Sequence, residues 1–324
     1  MRMTLVMEQR QWLKGPGYYL APVVFSAALF HMSPMLVPLL ALAAVPLYWA
    51  MATHGRAYGL TVAFGAAMAS LIVSGMEWAL AYTAICVMLA LAAAEAFLRS
   101  ARLGAAVALG AALPFAASLG LAVLMSFGSG GLWKTTSEMA EKVTQMALAR
   151  QVPGHSEKSV EAVGPEEEAR KALSWVLASA FPGLLFSVSL LFSLLHYLAA
   201  RGLSIKYSWG IHDQGHDLAN WRAPSWLVLT FGAGLGLSFL GPYNVLAAAG
   251  LNIVFGAGMV LALHGLSLLH YWMEKAKLAA PLKGLIFALA LIANAWAAIS
   301  LCLLGLADIM ADFRRSGGGG GAGV

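Results

Sequence analysis

The sequence predicts an all-α integral membrane protein, built as a bundle of eight or nine transmembrane helices. Of its 324 residues, 60% are hydrophobic and only 11% are charged. The chain therefore has too little polar surface for a soluble globule, and several apolar runs are long enough to cross a bilayer. One long hydrophilic segment, residues 128–171, separates these runs and is expected outside the cytoplasm. We expect a single membrane domain over residues 1–311 and a flexible Gly-rich tail over 312–324.

The amino-terminal apolar run, residues 18–51, is too long for one ordinary span. Pro34 interrupts it, which predicts either two short helices or one helix broken at this proline. Arg2, Arg10 and Lys14 precede the run, as basic residues precede the apolar core of a signal peptide. A convincing small-residue cleavage site is missing, so we expect the segment to be retained.

Three further spans are predicted before the hydrophilic segment, over residues 58–74, 77–98 and 104–127. The hydrophilic segment is expected to contain a helix of its own. Met139, Val143 and Met146 recur at the i, i+4 and i+7 positions of one helical face, which is typical of an amphipathic helix. Such a helix either lies on the membrane surface or covers a cavity as a lid, and the sequence leaves both alternatives open.

After this segment the sequence predicts, in order, a span near 172–198, a polar loop over 201–222, a transmembrane hairpin over 221–277 and a final span over 282–306. Gly232 and Gly236, on the first helix of the hairpin, have the G-x-x-x-G spacing. This spacing favours close packing of that helix against a neighbour.

Basic residues decide the predicted topology, because cytoplasmic loops of membrane proteins carry an excess of lysine and arginine. If the amino-terminal run forms a hairpin, the short loops near His31, Gly75 and Tyr243 receive no basic residue. Twelve basic residues then share the opposite side: Arg2, Arg10, Lys14, Arg56, Arg99, Arg102, Arg201, Lys206, Arg222, Lys275, Lys277 and Lys283. This predicts nine spans in the bacterial inner membrane with a cytoplasmic amino terminus. Arg314 and Arg315 would lie outside in that topology, which favours eight.

Motifs of enzymes and cofactor sites are missing from the sequence. It contains no H-E-x-x-H, G-x-S-x-G or G-x-x-x-x-G-K-[ST], so we expect neither enzymatic activity nor a cofactor. Cys86 and Cys302 lie in predicted spans and indicate no disulfide framework or thiolate metal site. The basic residues occur in short clusters between spans, which does not favour nucleic acid as a partner.

The loop sequence I-H-D-Q-G-H-D has metal-ligand spacing. His212 and His216 are four residues apart, as are Asp213 and Asp217, so one helical turn would present both pairs on neighbouring faces. Gly215 weakens such a turn, and a third spaced ligand group is missing. We expect a solvated cytoplasmic loop and no metal site.

The returning helix of the hairpin carries Asn252, His264 and His270 at membrane depth, where polar groups are costly and usually face protein or a cavity. His264 and His270 are six residues apart, which places them on widely separated helix faces. Asn252 either hydrogen-bonds a neighbouring helix or binds a ligand. The candidate ligand-binding residues, near the outer boundary or deeper in the membrane, are Glu77, Trp78, Tyr243, Asn244, Asn252 and Asn294.

A resemblance to a known family is carried by four stretches: L-A-S-A-F-P-G-L-L-F-S-V-S-L-L-F-S-L-L-H-Y-L-A-A-R-G-L-S, W-R-A-P-S-W-L, N-I-V-F-G-A-G and H-G-L-S-L-L-H-Y-W-M-E-K. Over residues 170–280 the chain resembles the carboxyl half of the YybS-like predicted membrane proteins of bacteria, a domain of unknown function. That family is similar in fold class to the integral substrate-binding components of energy-coupling-factor vitamin transporters. The resemblance implies a scaffold subunit as a partner.

These features together predict a small-solute-binding or permease-like component of the membrane. Since the chain has no nucleotide-binding loop, active transport would need a partner ATPase. The alternative is a non-transport membrane protein that serves envelope assembly or regulation through partner contacts. A cavity of a few hundred Å³ lined by Trp, Asn and Glu favours the first function, and a solid bundle favours the second.

Overall fold

The computed structural model describes residues 17–32, 42–98, 102–127, 131–151, 165–207, 218–292 and 294–316. Within these ranges every regular element is helical. The α-helices are α1 (Gly17–Met32), α2 (Val45–His54), α3 (Arg56–Ser74), α4 (Met76–Tyr82), α5 (Met88–Leu98), α6 (Leu103–Ser126), α7 (Leu132–Gln151), α8 (Pro165–Ser179), α9 (Phe181–Tyr207), α10 (Trp226–Ser238), α11 (Val245–Lys275), α12 (Ala280–Ile292), α13 (Asn294–Ala311) and α14 (Phe313–Ser316). A π-helical turn, Thr83–Val87, joins α4 to α5, and a 3-10 turn, Leu218–Asn220, precedes α10.

Five helices in the described part of the chain are long and apolar enough to cross a membrane: Arg56–Ser74, Met76–Phe97, Leu103–Ser126, Phe181–Tyr207 and Val245–Lys275. Three shorter apolar helices accompany them, over Leu20–His31, Trp226–Ser238 and Trp296–Ala311. Helices of about 20 apolar residues match the thickness of the hydrocarbon core. The structure thus agrees with a membrane protein, and the expected total of eight or nine spans stays a prediction.

The chain folds as two units. Unit 1 comprises residues 1–121 and 189–215, and unit 2 comprises residues 122–188 and 216–324. In unit 1 the amino-terminal run forms two helices, α1 and α2, while Pro34 lies outside the described residues. The Ser26 hydroxyl donates to the carbonyl of Ala43 at 2.5 Å and lies 2.7 Å from the Tyr82 hydroxyl. These contacts satisfy polar groups within the apolar core of unit 1.

α7 lies within the hydrophilic segment and covers the Met139 and Val143 positions. Its place outside the cytoplasm, on the membrane surface or over a cavity, stays a prediction. α7 packs against α8 through a face formed by Thr136, Ala140 and Thr144, all of which are buried. Met139 and Val143 are more than half exposed on the neighbouring face. Small side chains therefore make the helix–helix contact, and the larger apolar ones remain uncovered within unit 2.

α11 is the central helix of unit 2 and packs against α10 and α13. Here the expected role of Gly232 and Gly236 is wrong, since a Cβ added at either position would meet nothing within 4 Å. Gly234 and Gly250 make the close contact instead: a Cβ on Gly250 would lie 2.7 Å from the Gly234 carbonyl oxygen. The reason is helix rotation, because Gly234 lies on the α10 face turned toward α11, and sequence spacing cannot show which face that is.

The predicted single span over 282–306 is two helices, α12 and α13. Lys283 lies 2.6 Å from Glu274, and the Phe287 ring lies 5.6 Å from the His270 ring. Residue numbers increase along α12 while those of its contacts on α11 decrease, so these two helices are antiparallel. α13 then runs parallel to α11 and ends beside the last turns of that helix. They cross closely at Gly265 and Gly305, where an added Cβ would collide with the carbonyl oxygens of Leu301 and Leu261, respectively.

The carboxyl end of α13 is followed by α14, whose Arg314 is buried in unit 2. α14 covers the first residues of the predicted 312–324 tail, the residues after Ser316 lie outside the described part, and the flexible tail stays a prediction. Arg314 donates to the carbonyls of Ala219 and Trp221, so it lies at the same end of unit 2 as Arg222.

Candidate functional site

The junction between α8 and α9 is joined to α11 by the side chain of Asn252. At this junction the regular bond from the Gly183 N–H to the Ser179 carbonyl is missing, next to Pro182, which disturbs helical hydrogen bonding. Asn252 replaces it: its Oδ1 accepts from the Gly183 N–H at 2.5 Å and its Nδ2 donates to the Ser179 carbonyl at 2.8 Å. The second Nδ2 hydrogen goes to Ala248, also at 2.8 Å. The amide therefore repairs a helix break while binding two helices together.

A second link between the same helices is made by Ser187. Its hydroxyl lies 2.8 Å from the Gly183 carbonyl oxygen and 2.9 Å from that of Phe255. Gly183 is required at this junction, since an added Cβ would lie 2.8 Å from the Cα of Asn252. α9 and α11 are thus held at a fixed close distance at one end of unit 2.

Beside this junction, helices α9, α10, α11 and α13 enclose a cavity of about 430 Å³. Its lining is apolar and carries no charged side chain: Leu184, Ser187, Val188, Phe231, Val254, Phe255, Gly258, Met259, Ala262, Ala298, Ile299, Cys302 and Leu303. The Ser187 hydroxyl already donates to helix carbonyls. The cavity therefore favours an apolar occupant over a charged one.

The cavity opens at the surface of unit 2. Three lining residues are well exposed there: Val188 at 43%, Ile299 at 52% and Leu303 at 58%. Val188 belongs to a candidate span, α9, and the other two belong to the shorter apolar helix α13. The opening of the cavity is therefore rimmed by apolar side chains.

A buried ionic cluster lies on the other side of the Gly305 crossing between α11 and α13. The Nε2 of His264 is 3.0 Å from the Oδ2 of Asp308, and both side chains are 2% exposed. The Arg314 Nε lies 3.3 Å from the same Oδ2, close enough for an ion pair although not aligned as a hydrogen bond. Burial, which disfavours a charge, lowers the pKa of Arg314, while Asp308 acts against this effect.

This cluster satisfies the irregular backbone over residues 218–223. The Ala223 N–H donates to Nδ1 of His264 at 3.2 Å, and the Ser267 hydroxyl donates to Leu218 and Trp221 carbonyls at 2.6 and 2.7 Å. Non-helical backbone is tolerated at membrane depth only where protein or a water-filled cavity satisfies its polar groups. Because Nδ1 accepts, the His264 ring is neutral and carries its proton on Nε2, toward Asp308.

The six residues predicted to bind a ligand are distributed over both units. Glu77 and Trp78 are exposed in unit 1, where the Trp78 ring packs edge-on at 5.9 Å from the Phe30 ring. The other four belong to unit 2. Of these, Asn252 makes the helix junction described above, and Asn294 is the first residue of α13, with its side chain outside the described part.

The turn before α11 contains the remaining two predicted residues. Tyr243 has a positive φ of 66° and its ring lies 5.8 Å from the ring of Trp175. Asn244 caps α11, since its Oδ1 accepts from the Leu246 N–H at 2.9 Å. The residues that line the cavity include none of the six. A ligand-binding role for these six residues stays a prediction.

Sequence reasoning missed Asp308 and Arg314. The available signal was a lone carboxylate within the last apolar run, since an ionisable residue at membrane depth is a functional candidate by default. The I-H-D-Q-G-H-D loop lies outside the described residues. Within the described part, no three or more His, Cys, Asp or Glu residues are grouped so as to hold a metal ion.

Helices of membrane-spanning length with exposed apolar surfaces define the class: a polytopic α-helical membrane protein. The comparison with protein families agrees. The chain belongs to the family described as Predicted membrane protein (DUF2232), whose model matches residues 21–309. No curated protein and no solved structure matches the chain.

Proposed function

We propose that this protein is a permease-like binding component of the bacterial inner membrane that takes a small apolar molecule from the bilayer into the unit 2 cavity. One observation carries the proposal: a cavity of about 430 Å³ with an uncharged lining and a mouth rimmed by exposed apolar side chains. Its volume is within the range of about 300–1,000 Å³ typical of small-molecule pockets. Because the lining of the cavity is apolar, the bound molecule is a lipid chain or another lipophilic compound.

The polar residues around the cavity have a positioning role in this function. Asn252 and Ser187 fix α9 against α11, and these helices form one wall of the cavity. None of Glu77, Trp78, Tyr243, Asn244 and Asn294 lines this cavity, and their binding role stays a separate prediction.

Active transport by this chain would depend on partner scaffold and ATPase subunits, because its sequence has no nucleotide-binding loop. The resemblance of residues 170–280 to YybS-like proteins, and of those in fold class to energy-coupling-factor binding components, supports this division of labour. The solute would be bound by this chain and the energy supplied by its partners.

A second function, envelope assembly or regulation through partner contacts, is favoured by a different observation. The α7 face that carries Met139 and Val143 is exposed within unit 2 and lies beside the α7–α8 contact. An exposed apolar face outside the spans is a common feature of interaction surfaces. In this function the unit 2 cavity would be incidental.

The experiment that tests the first function compares two glycine substitutions. A Cβ added at Gly258 would point into the cavity region, 3.2 Å from the Phe231 ring and 3.9 Å from the Cys302 sulfur. Gly258→Leu therefore fills the cavity, whereas Gly232→Leu on α10 meets nothing within 4 Å and serves as the matched control.

Apolar molecules extracted with organic solvent from each purified variant are then identified and quantified by mass spectrometry. We expect a compound present in stoichiometric amount with the native chain and with Gly232→Leu, and reduced about tenfold or more with Gly258→Leu. That reduction corresponds to about 1.4 kcal/mol of lost affinity. Equal amounts in all three preparations would argue against the cavity as the binding site.

A further inference from the structure

We propose that His264 is a proton-operated latch that holds α10 against α11 and thereby keeps the α10 wall of the cavity in place. The proposal rests on the proposed binding function, because the latched wall belongs to the same cavity. Its starting point is a single contact in which the Ala223 N–H donates to Nδ1 of His264 at 3.2 Å. Ala223 lies three residues before the start of α10.

Proton uptake is incompatible with this contact. The His264 Nε2–H faces Oδ2 of Asp308 at 3.0 Å, so a second proton must go to Nδ1. There it would turn the acceptor of the Ala223 bond into a donor. Two donors would then face each other at a buried position, and the Ala223 N–H would have no partner. His264 can therefore be protonated only after the 218–223 segment has moved away from α11.

Three charged groups surround His264 in the closed state. Asp308 of α13 lies 3.0 Å from its Nε2, and Arg314 of α14 pairs with the same carboxylate. Arg222, in the segment before α10, is 50% exposed and pairs with Asp312 at 3.0 Å, so its effect is partly screened. The imidazole itself is buried, with its side chain 2% exposed. A released segment would expose the ring and remove this constraint.

The latch is connected to the cavity through the start of α10. Ala223 and Leu227 are buried against Ala257 and Leu261 of α11, and Phe231, one turn further along α10, lines the cavity. Loss of the Ala223 bond releases the first of these contacts and allows Phe231 to move with the helix. α11 and α13 remain in contact at Gly305, where their backbones are too close for any side chain to intervene. The motion is therefore confined to α10.

Linkage gives the expected size of the effect. If the closed state binds no proton and the released ring has the ordinary histidine pKa of about 6.5, the ratio of released to closed protein rises about tenfold between about pH 7.5 and about pH 5.5. A larger population of released protein at acid pH follows from preferential proton binding to that state.

The test measures a distance between α10 and α12 by double electron–electron resonance. Spin labels are placed at Leu229→Cys and Leu285→Cys, both exposed, in a chain whose Cys86 and Cys302 are alanine. We expect a second, longer distance whose weight relative to the first increases about tenfold at the lower pH. In His264→Gln, which keeps a donor and an acceptor but does not titrate, the distribution should be the same at both pH values.

An unchanged distribution in the chain with native His264, or the same change in His264→Gln, would overturn the latch. If His264→Gln does not fold, Ala223→Pro is measured instead, because proline removes the N–H donor. The distance distribution of this variant should lose most of its dependence on pH. If it changes with pH as much as that of the chain with native Ala223, the latch is overturned.

Failure of the latch is distinguishable from failure of the proposed function. The distance measurement needs no ligand, so Gly258→Leu should keep the pH-dependent distribution even though its cavity is filled. Retention of a copurified ligand with no pH-dependent distance would reject the latch alone. A pH-dependent distance without any cavity-dependent ligand would reject the binding function alone.

Discussion

Asn252→Leu tests whether the helix junction of unit 2 depends on a side-chain amide. The substitution removes the acceptor for the Gly183 N–H and the donor for the Ser179 carbonyl, and leucine cannot replace either. Pro182 and the helix break prevent these two backbone groups from re-forming their own bond without movement of α8 or α9. Two polar groups are thus left without partners beside the cavity wall.

The expected cost is worked out from these contacts. Interhelical hydrogen bonds in membrane proteins contribute on average about 0.6 kcal/mol each, so the two bonds give about 1.2 kcal/mol. A buried polar group without a partner adds about 1–3 kcal/mol where it is not rehydrated. We therefore expect the free energy of unfolding to fall by about 1–4 kcal/mol.

The assay is equilibrium unfolding in mixed detergent micelles, followed by circular dichroism. Thr230→Leu is the matched control, since the Thr230 hydroxyl bonds only to the Trp226 carbonyl of its own helix turn, at 3.2 Å. This control should change stability by less than about 0.5 kcal/mol. An equally small change in Asn252→Leu would refute the junction. If that variant also lost its ligand, Asn252 would be a binding residue, as the sequence allows.

Two other substitutions test the packing and the charge balance of unit 2 in the same unfolding assay. Gly305→Ala should destabilise by about 1–3 kcal/mol through overpacking, because its Cβ would collide with an α11 carbonyl, whereas Gly232→Ala should have little effect. Equal stability of the two would contradict the close crossing. Arg314→Ala leaves the carboxylate of Asp308 buried without its cation and should cost about 3–5 kcal/mol. Arg222→Ala, from an exposed pair, should cost less than about 1 kcal/mol, and a similar loss in both arginine variants would show that burial does not matter here.

Hydropathy was sufficient to predict the class of the protein and most of its long helices. The predicted spans over 58–74 and 104–127 agree with α3 and α6 within one or two residues. Apolar length is a local property, so the sequence displays it directly. The division of the last apolar run into α12 and α13 cannot be predicted from hydropathy. Both helices are apolar, and they differ only in running in opposite directions along α11.

Helix contacts were predicted less well, since they depend on the rotation of each helix about its axis. The G-x-x-x-G pair on α10 was visible, yet Gly234 makes the contact with Gly250. On α7 the apolar periodicity of Met139 and Val143 predicts an amphipathic helix but does not indicate that Thr136 and Thr144 lie on the packed face. Small residues pack where backbones approach closely, and only the tertiary structure shows which small residues do so.

The candidate site was predicted in part. The sequence indicated that polar residues of the 245–275 helix would face protein, and Asn252 and His264 do so. The cavity could not be found in this way, because its lining is apolar and resembles the lipid-facing surface in composition. The ionic cluster depends on the contact between α11 and α13, which joins residues more than forty positions apart, His264 and Asp308.

Photolabelling in native membranes tests the central claim, that the unit 2 cavity binds an apolar molecule from the bilayer. A fatty acid with a diazirine in its chain is incorporated, activated by light and located by peptide mass spectrometry. We expect saturable labelling of the cavity-lining stretches 184–188 and 254–262, strongly reduced in Gly258→Leu and retained in Gly232→Leu. Labelling spread evenly over exposed apolar positions such as Leu229 and Leu285, and unaffected by Gly258→Leu, would contradict it.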